Sequence, residues 1–146
     1  MRNCWVLDTN VLVSALLSSG VPRKLLDAAI NGDFQLCISR VLLAEFEAVL
    51  ARPKFAARLQ QGCLSLDLIV RDLEAIAFVV APAEVRRMVR DDPADDYVIA
   101  TALAGGADLI VTGDRRHLLP LKAVEGIPIV TAAEAVARLE VDDADS

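Results

Sequence analysis

The chain has 146 residues, 55% of them hydrophobic, and a formal net charge of −6. That is enough apolar material for one domain with a real core, and it excludes a disordered chain. A pI of about 4.7 counts against nucleic acid as a partner on charge alone, because phosphate binders are usually basic.

The N-terminus, "MRNCWVLDTNVLVSALL", superficially resembles a secretory leader. Asp8 and Asn10 interrupt its apolar run and no small-residue cleavage site follows, so the segment is expected to stay in the fold. Apolar runs elsewhere fall short of a membrane span. Cys4, Cys37 and Cys63 are odd in number and lack C-x-x-C spacing. They point to thiols in a reducing cytoplasm rather than to a zinc site.

In chain order, short β-type runs occur at "CWVL" (4–7), "FQLCIS" (34–39), "FVVA" (78–81), "DLIVT" (108–112) and "IPIV" (127–130). Helical patterns fill the intervals at 11–18, 22–31, 40–51, 54–61, 65–76, 94–105 and 132–139. The strands are almost wholly apolar, as expected when both faces of a sheet are covered. Alternating β and α predicts an α/β fold with a parallel sheet and right-handed crossovers. One domain over 1–140 is expected, with 141–146, "VDDADS", as a solvated and mobile acidic tail.

In such sheets, sites lie beyond the carboxyl ends of strands. The first run exits into Asp8 and Asn10, and the fourth into Thr112 and Asp114. The helix after the second run carries Glu45, with Leu42 before it and Val49 one turn after. The helix at 94–105 carries Asp96 on one stripe with Ile99, Ala100 and Leu103. Buried acids need a partner or a cation. Converging carboxylates raise one another's pKa, and an oxygen-only donor set suits Mg²⁺ or Mn²⁺. Such a site can activate water against a phosphodiester. No Ser/His/Asp arrangement is evident, the single histidine is His117, and no phosphate-binding G-x-x-x-x-G-K-[ST] loop is present.

The stretch "DDPADDYVIA" (91–100) crowds four aspartates at a helix start. Asp92 suits the N-cap, Pro93 the first helical position and Asp95 the third, where an acid favours the dipole. Asp96 then faces the sheet, Asp95 is turned away from it with a supporting role open to it, and Asp91 is solvated.

Four segments together resemble the PIN-domain family, and more narrowly its bacterial toxin branch, similar to VapC toxins. They are "VLDTNVLVSALL", Glu45 in "LLAEFEAVL", "DDPADDYVIATALAGGADLIVTGDRRHLL" and "GIPIVTAAE", and the resemblance covers about residues 4 to 135. The resemblance implies a three-layer α/β/α sandwich with a five-stranded parallel sheet ordered 3-2-1-4-5. It implies a cytoplasmic Mg²⁺- or Mn²⁺-dependent endoribonuclease whose acids map onto Asp8, Glu45, Asp96 and Asp114, with Asn10 and Thr112 in support. It further implies a small DNA-binding antitoxin as partner, and a homodimer. RNA contacts would fall to local basic patches: Arg23 and Lys24, Arg86 and Arg87, and Arg115 and Arg116.

Two other classes compete with this reading. An aspartyl-phosphate hydrolase of the haloacid-dehalogenase type needs Asp-x-Asp after the first strand, and here the third residue is Asn10. A non-catalytic PIN-fold interaction subunit would share the same ligands without turnover.

Overall fold

A computed structural model describes residues 3–81 and 93–145, with side chains over 3–81 and 96–141. Arg86, Arg87, Asp91 and Asp92 lie outside the described residues, as does the side chain of Asp95.

Strand β1 (Cys4–Leu7) runs into helix α1 (Thr9–Leu17) with Asp8 as N-cap. Helix α2 (Val21–Asn31) follows and ends on Gly32 at φ 84°, a left-handed position that glycine takes without strain. Strand β2 (Gln35–Ser39) passes directly into α3 (Arg40–Leu50), because the Ser39 hydroxyl accepts from Leu42 N–H and caps the helix. Helices α4 (Pro53–Gln61) and α5 (Leu66–Ile76) lead to β3 (Ala77–Val80). Then come α6 (Pro93–Gly105), β4 (Leu109–Val111), a 3₁₀ turn at Leu119–Leu121, β5 (Ala123–Val124), β6 (Ile127–Val130) and α7 (Ala132–Asp145). The backbone of α7 is helical six residues past the expected end at 139.

The sheet order is β3-β2-β1-β4-β6-β5. Strands β1, β2, β3, β4 and β6 are parallel, in the expected order 3-2-1-4 followed by the last strand. The structure corrects the expected count of five: among the described residues, β5 adds a sixth strand, antiparallel to β6. Its two-residue loop places Glu125 at φ 46° and Gly126 at φ 82°, the paired positive φ of a tight hairpin turn.

Helical layers cover both faces of the sheet. Cys4 at the start of β1 donates its thiol to Gly105 O, and Cys37 in β2 donates to Thr101 O, so α6 lies over that face. The approach is close: a Cβ on Gly105 would sit 2.3 Å from Cys37 Sγ. Trp5 points to the opposite face by strand alternation and stacks on Phe34 with centroids 4.5 Å apart. A cleft bordered by Trp5 and by Ala137 and Arg138 of α7 puts that helix on the opposite side from α6, where α7 packs on α2 and α2 on α1. Val6, Ile38, Ile110 and Val111 are fully enclosed between the layers. Each such side chain contributes about 1.5–3 kcal/mol by burial.

Candidate active site

The carboxyl edge of the sheet collects the acids. Asp8 follows β1 immediately, and its backbone N–H bonds Val111 O at the end of β4. Its side chain is only 7% exposed. Oδ1 accepts from Val11 N–H at 2.8 Å, which starts α1. Oδ2 accepts a hydrogen bond from the Thr112 hydroxyl.

The same Thr112 hydroxyl accepts from Asp114 N–H at 3.0 Å. One buried oxygen therefore links the residues that leave β1 and β4. Asp114 in turn accepts from Arg116 N–H and His117 N–H at 3.0 and 3.1 Å, which folds the loop back on itself. The His117 ring lies 3.5 Å from its other oxygen.

Glu45, half-buried on α3, joins this edge through the residue after Asp8: the Thr9 hydroxyl donates to Glu45 Oε2 at 3.1 Å. Asp96 is placed by the direction of α6. Gly105 meets the start of β1, and Thr101 hydrogen-bonds Ser39 at the end of β2 at 2.8 Å. Asp96 lies nine residues before Gly105, about 13 Å along the helix at 1.5 Å per residue, beyond the carboxyl ends of the strands. It is 2% exposed, on one stripe with buried Ile99 and Ala100.

Burial is the main reason that the Asp8 carboxyl is pushed above the ordinary carboxylate value. The Thr112 hydroxyl and the N–H groups of Val11 and Gly113 oppose that rise, and the nearby charge of Asp114 adds to it. The Asp8 carboxylate at the end of β1 thus senses the charge of Asp114 in the loop after the neighbouring strand β4.

As a donor set, carboxylates from β1, α3, α6 and the β4 loop fit a hard divalent cation. They are not drawn together in the protein alone. Among the described residues, no three His, Cys, Asp or Glu side chains are gathered closely enough to hold a metal. Asp8, Glu45 and Asp114 instead spend their oxygens on neutral O–H and N–H donors.

The basic residues separate. Arg115 lines a cleft of mixed polarity with Asn10 and Thr112, next to Asp8 and Asp114 in the chain. Arg116 gives its backbone N–H to Asp114 while its side chain is exposed. Arg23 on α2 is paired with Asp27 at 3.1 Å, and Lys24 is exposed. Arg23 also borders an apolar groove of about 560 Å³ between α1, α2, α3 and α5, floored by Leu12, Leu16, Leu26 and Ile69. Sequence reasoning missed Thr9 as the hydroxyl that holds Glu45, although it sits inside the "DTN" already singled out. It also missed Thr101 and Ser39, a buried hydroxyl pair that fixes α6 on β2.

A family described as PIN domain matches residues 5–116. No curated protein matches the chain. Among solved structures, VapBC2 from Rickettsia felis, bound to a DNA fragment from its promoter, has a similar chain: 18% identity, TM-score 0.57, with 88% of this chain and 98% of that one covered. DNA-bound VapBC from Salmonella typhimurium gives 18% identity and TM-score 0.58 over 90% and 99% of the two chains. PAE2754 from Pyrobaculum aerophilum gives 16% identity and TM-score 0.56 over 96% and 90%. At these identities the likeness is one of fold.

Proposed function

The chain belongs to the PIN domain family, and from that premise we propose that it is a divalent-metal-dependent endoribonuclease acting as the toxin of a toxin–antitoxin pair. The observation that carries this reading is the buried Asp8 carboxylate at the end of the central strand, tied through the Thr112 hydroxyl to the segment bearing Asp114. Burying a carboxylate beside a second one costs stability, which an ordinary turn residue has no reason to incur. Asp8, Asp96 and Asp114, with Glu45, would hold the ion. A bound Mg²⁺ or Mn²⁺ supplies charge against the phosphodiester and lowers the pKa of an attacking water.

The protein's own part is to hold these carboxylates in place. Thr112 orients Asp8, Thr9 orients Glu45, and the N–H groups of Arg116 and His117 fix Asp114. Asn10, first turn of α1, is the proposed polar support beside Asp8. The expected result is RNA cleavage with Mg²⁺ or Mn²⁺ that stops on chelation with EDTA; activity that survives thorough chelation would overturn the metal mechanism.

The proposed partner is a small DNA-binding antitoxin. The apolar groove between α1, α2, α3 and α5 is the kind of surface that takes a partner's helix. A short DNA-binding reading frame overlapping this gene would support the pairing, as would a homodimer of the free protein by sedimentation. No helix among the described residues is long and apolar enough to cross a membrane, and a cytoplasmic location is part of the proposal. The competing reading, a non-catalytic interaction subunit, is favoured by the same groove and by the ungathered acids. It predicts metal-loaded protein that leaves a panel of structured RNAs intact.

A further inference from the structure

A cleft of about 250 Å³ opens next to the acids and shares Thr112 and Gly113 with them. Its lining includes Asn10 and Ser14 of α1, Arg115, and Thr131 just before α7, together with the apolar Pro22 and Leu119. Its volume equals that of roughly eight waters, which leaves room for one sugar–phosphate unit and not for a folded RNA element. Among the described residues, no acid lines it and Arg115 is its single cation.

That composition matters in a chain with a net charge of −6. The overall field repels RNA, so a phosphate must be held at short range. A guanidinium suits that task, because its planar donors meet two phosphate oxygens at once. Asn10 and Ser14 offer neutral hydrogen-bonding groups for a sugar or a base edge. The hydroxyl of Thr131 is already engaged: it donates to Glu134 Oε1 and accepts from Glu134 N–H. The recognition chemistry therefore rests on Arg115, Asn10 and Ser14.

We propose that this cleft is the subsite for the RNA nucleotide next to the scissile bond, with Arg115 on its phosphate and Asn10 and Ser14 on its sugar and base edge. The proposal deepens the ribonuclease reading and rests on it for the identity of the ligand. It also separates two adjacent arginines that look alike in sequence. Arg115 lines the cleft, whereas Arg116 does not.

The test is binding, with EDTA present so that no cleavage intervenes. A fluorescein-labelled RNA hexamer is titrated with the full chain and followed by anisotropy at several salt concentrations. Arg115→Gln should weaken binding about tenfold or more, the scale of one hydrogen bond to a charged group. It should also reduce the salt slope by about 0.7, one phosphate contact on a single strand. Arg116→Gln removes the same charge one residue away and should change affinity by less than about threefold, as for an exposed charge. Ser14→Trp leaves the charge unchanged and fills the cleft, and it too should weaken binding about tenfold. Melting curves establish that each variant is folded.

Equal losses for Arg115→Gln and Arg116→Gln would overturn the subsite, as would a Ser14→Trp variant that binds normally or an unaltered protein that does not bind the hexamer. The ribonuclease reading fails separately. Arg115-dependent binding in a protein that never cuts RNA with Mg²⁺ or Mn²⁺ keeps the cleft and removes the nuclease. Metal-dependent cleavage with indistinguishable arginine variants does the reverse.

Discussion

At each end of strand β1 an aspartate side chain accepts a backbone N–H, and the two ends could hardly differ more. At its start, Asp108 accepts Cys4 N–H at 2.9 Å from an exposed position. At its finish, Asp8 accepts Val11 N–H at 2.8 Å while almost wholly buried. The hydrogen bond is the same in kind and length. The difference is the surroundings: Asp108 is exposed to solvent, whereas Asp8 has Thr112, Gly113 and the charge of Asp114. A carboxylate becomes a candidate for chemistry when burial and a second acid make its charge costly, and capping a backbone N–H is the lesser part of its role.

The largest expected contrast between the two ends is in activity. Asp114→Asn and Asp96→Asn should each lower metal-dependent RNA cleavage by about 10²-fold or more, the scale of losing one electrostatic stabiliser. Asp95→Asn should keep most activity. A dead Asp95→Asn beside an active Asp96→Asn would mean that the helix presents its other acid to the site.

Thr112→Val tests the link itself. It preserves shape and removes the hydroxyl shared by Asp8 and Asp114. Cleavage should fall by about 10–100-fold, as for other groups that orient a metal ligand, with the requirement for metal intact. Unchanged kinetics would reduce Thr112 to packing.

Asp8→Asn sharpens the comparison through stability. A carboxyl whose pKa is raised by folding binds its proton more tightly in the native state than in the unfolded chain. Its contribution is intact at or below the ordinary carboxylate value, about 3.9, and is lost as pH rises through the elevated one. Metal-free Asp8→Asn should therefore melt at or above the temperature of the unaltered protein, with a margin that widens across that window and then levels. Asparagine caps a helix as well as aspartate does, so α1 is preserved. A variant that melts several degrees lower at neutral pH would show Asp8 to be structural.

The smallest effect belongs to the exposed end. Asp108→Asn should shift stability by within about 0.5 kcal/mol, as for most surface substitutions, and leave cleavage unchanged. A large activity loss there would erase the distinction between the two ends of β1.

Much of this architecture is local and was therefore legible in the sequence. The apolar runs at 4–7 and 127–130 form strands with those bounds, because a strand buried on both faces leaves a continuous hydrophobic signature. The parallel arrangement follows from alternation of β and α, whereas the strand order was implied only by the family resemblance. The four acids stand at strand exits or on apolar helical stripes, and both patterns are visible without coordinates. The β5–β6 hairpin was missed because two residues carry too little periodicity to register, although "EG" at 125–126 was a turn signal. Other features were decided by tertiary structure alone. Thr112 reaches Asp8 across a sequence separation of 104 residues, Thr9 reaches Glu45 across 36, and Arg115 rather than Arg116 lines the cleft. Periodicity fixes which face a residue occupies within its own element. Which oxygen meets which hydroxyl depends on the register of β1 against β4 and on the path of a loop, and no local pattern encodes either.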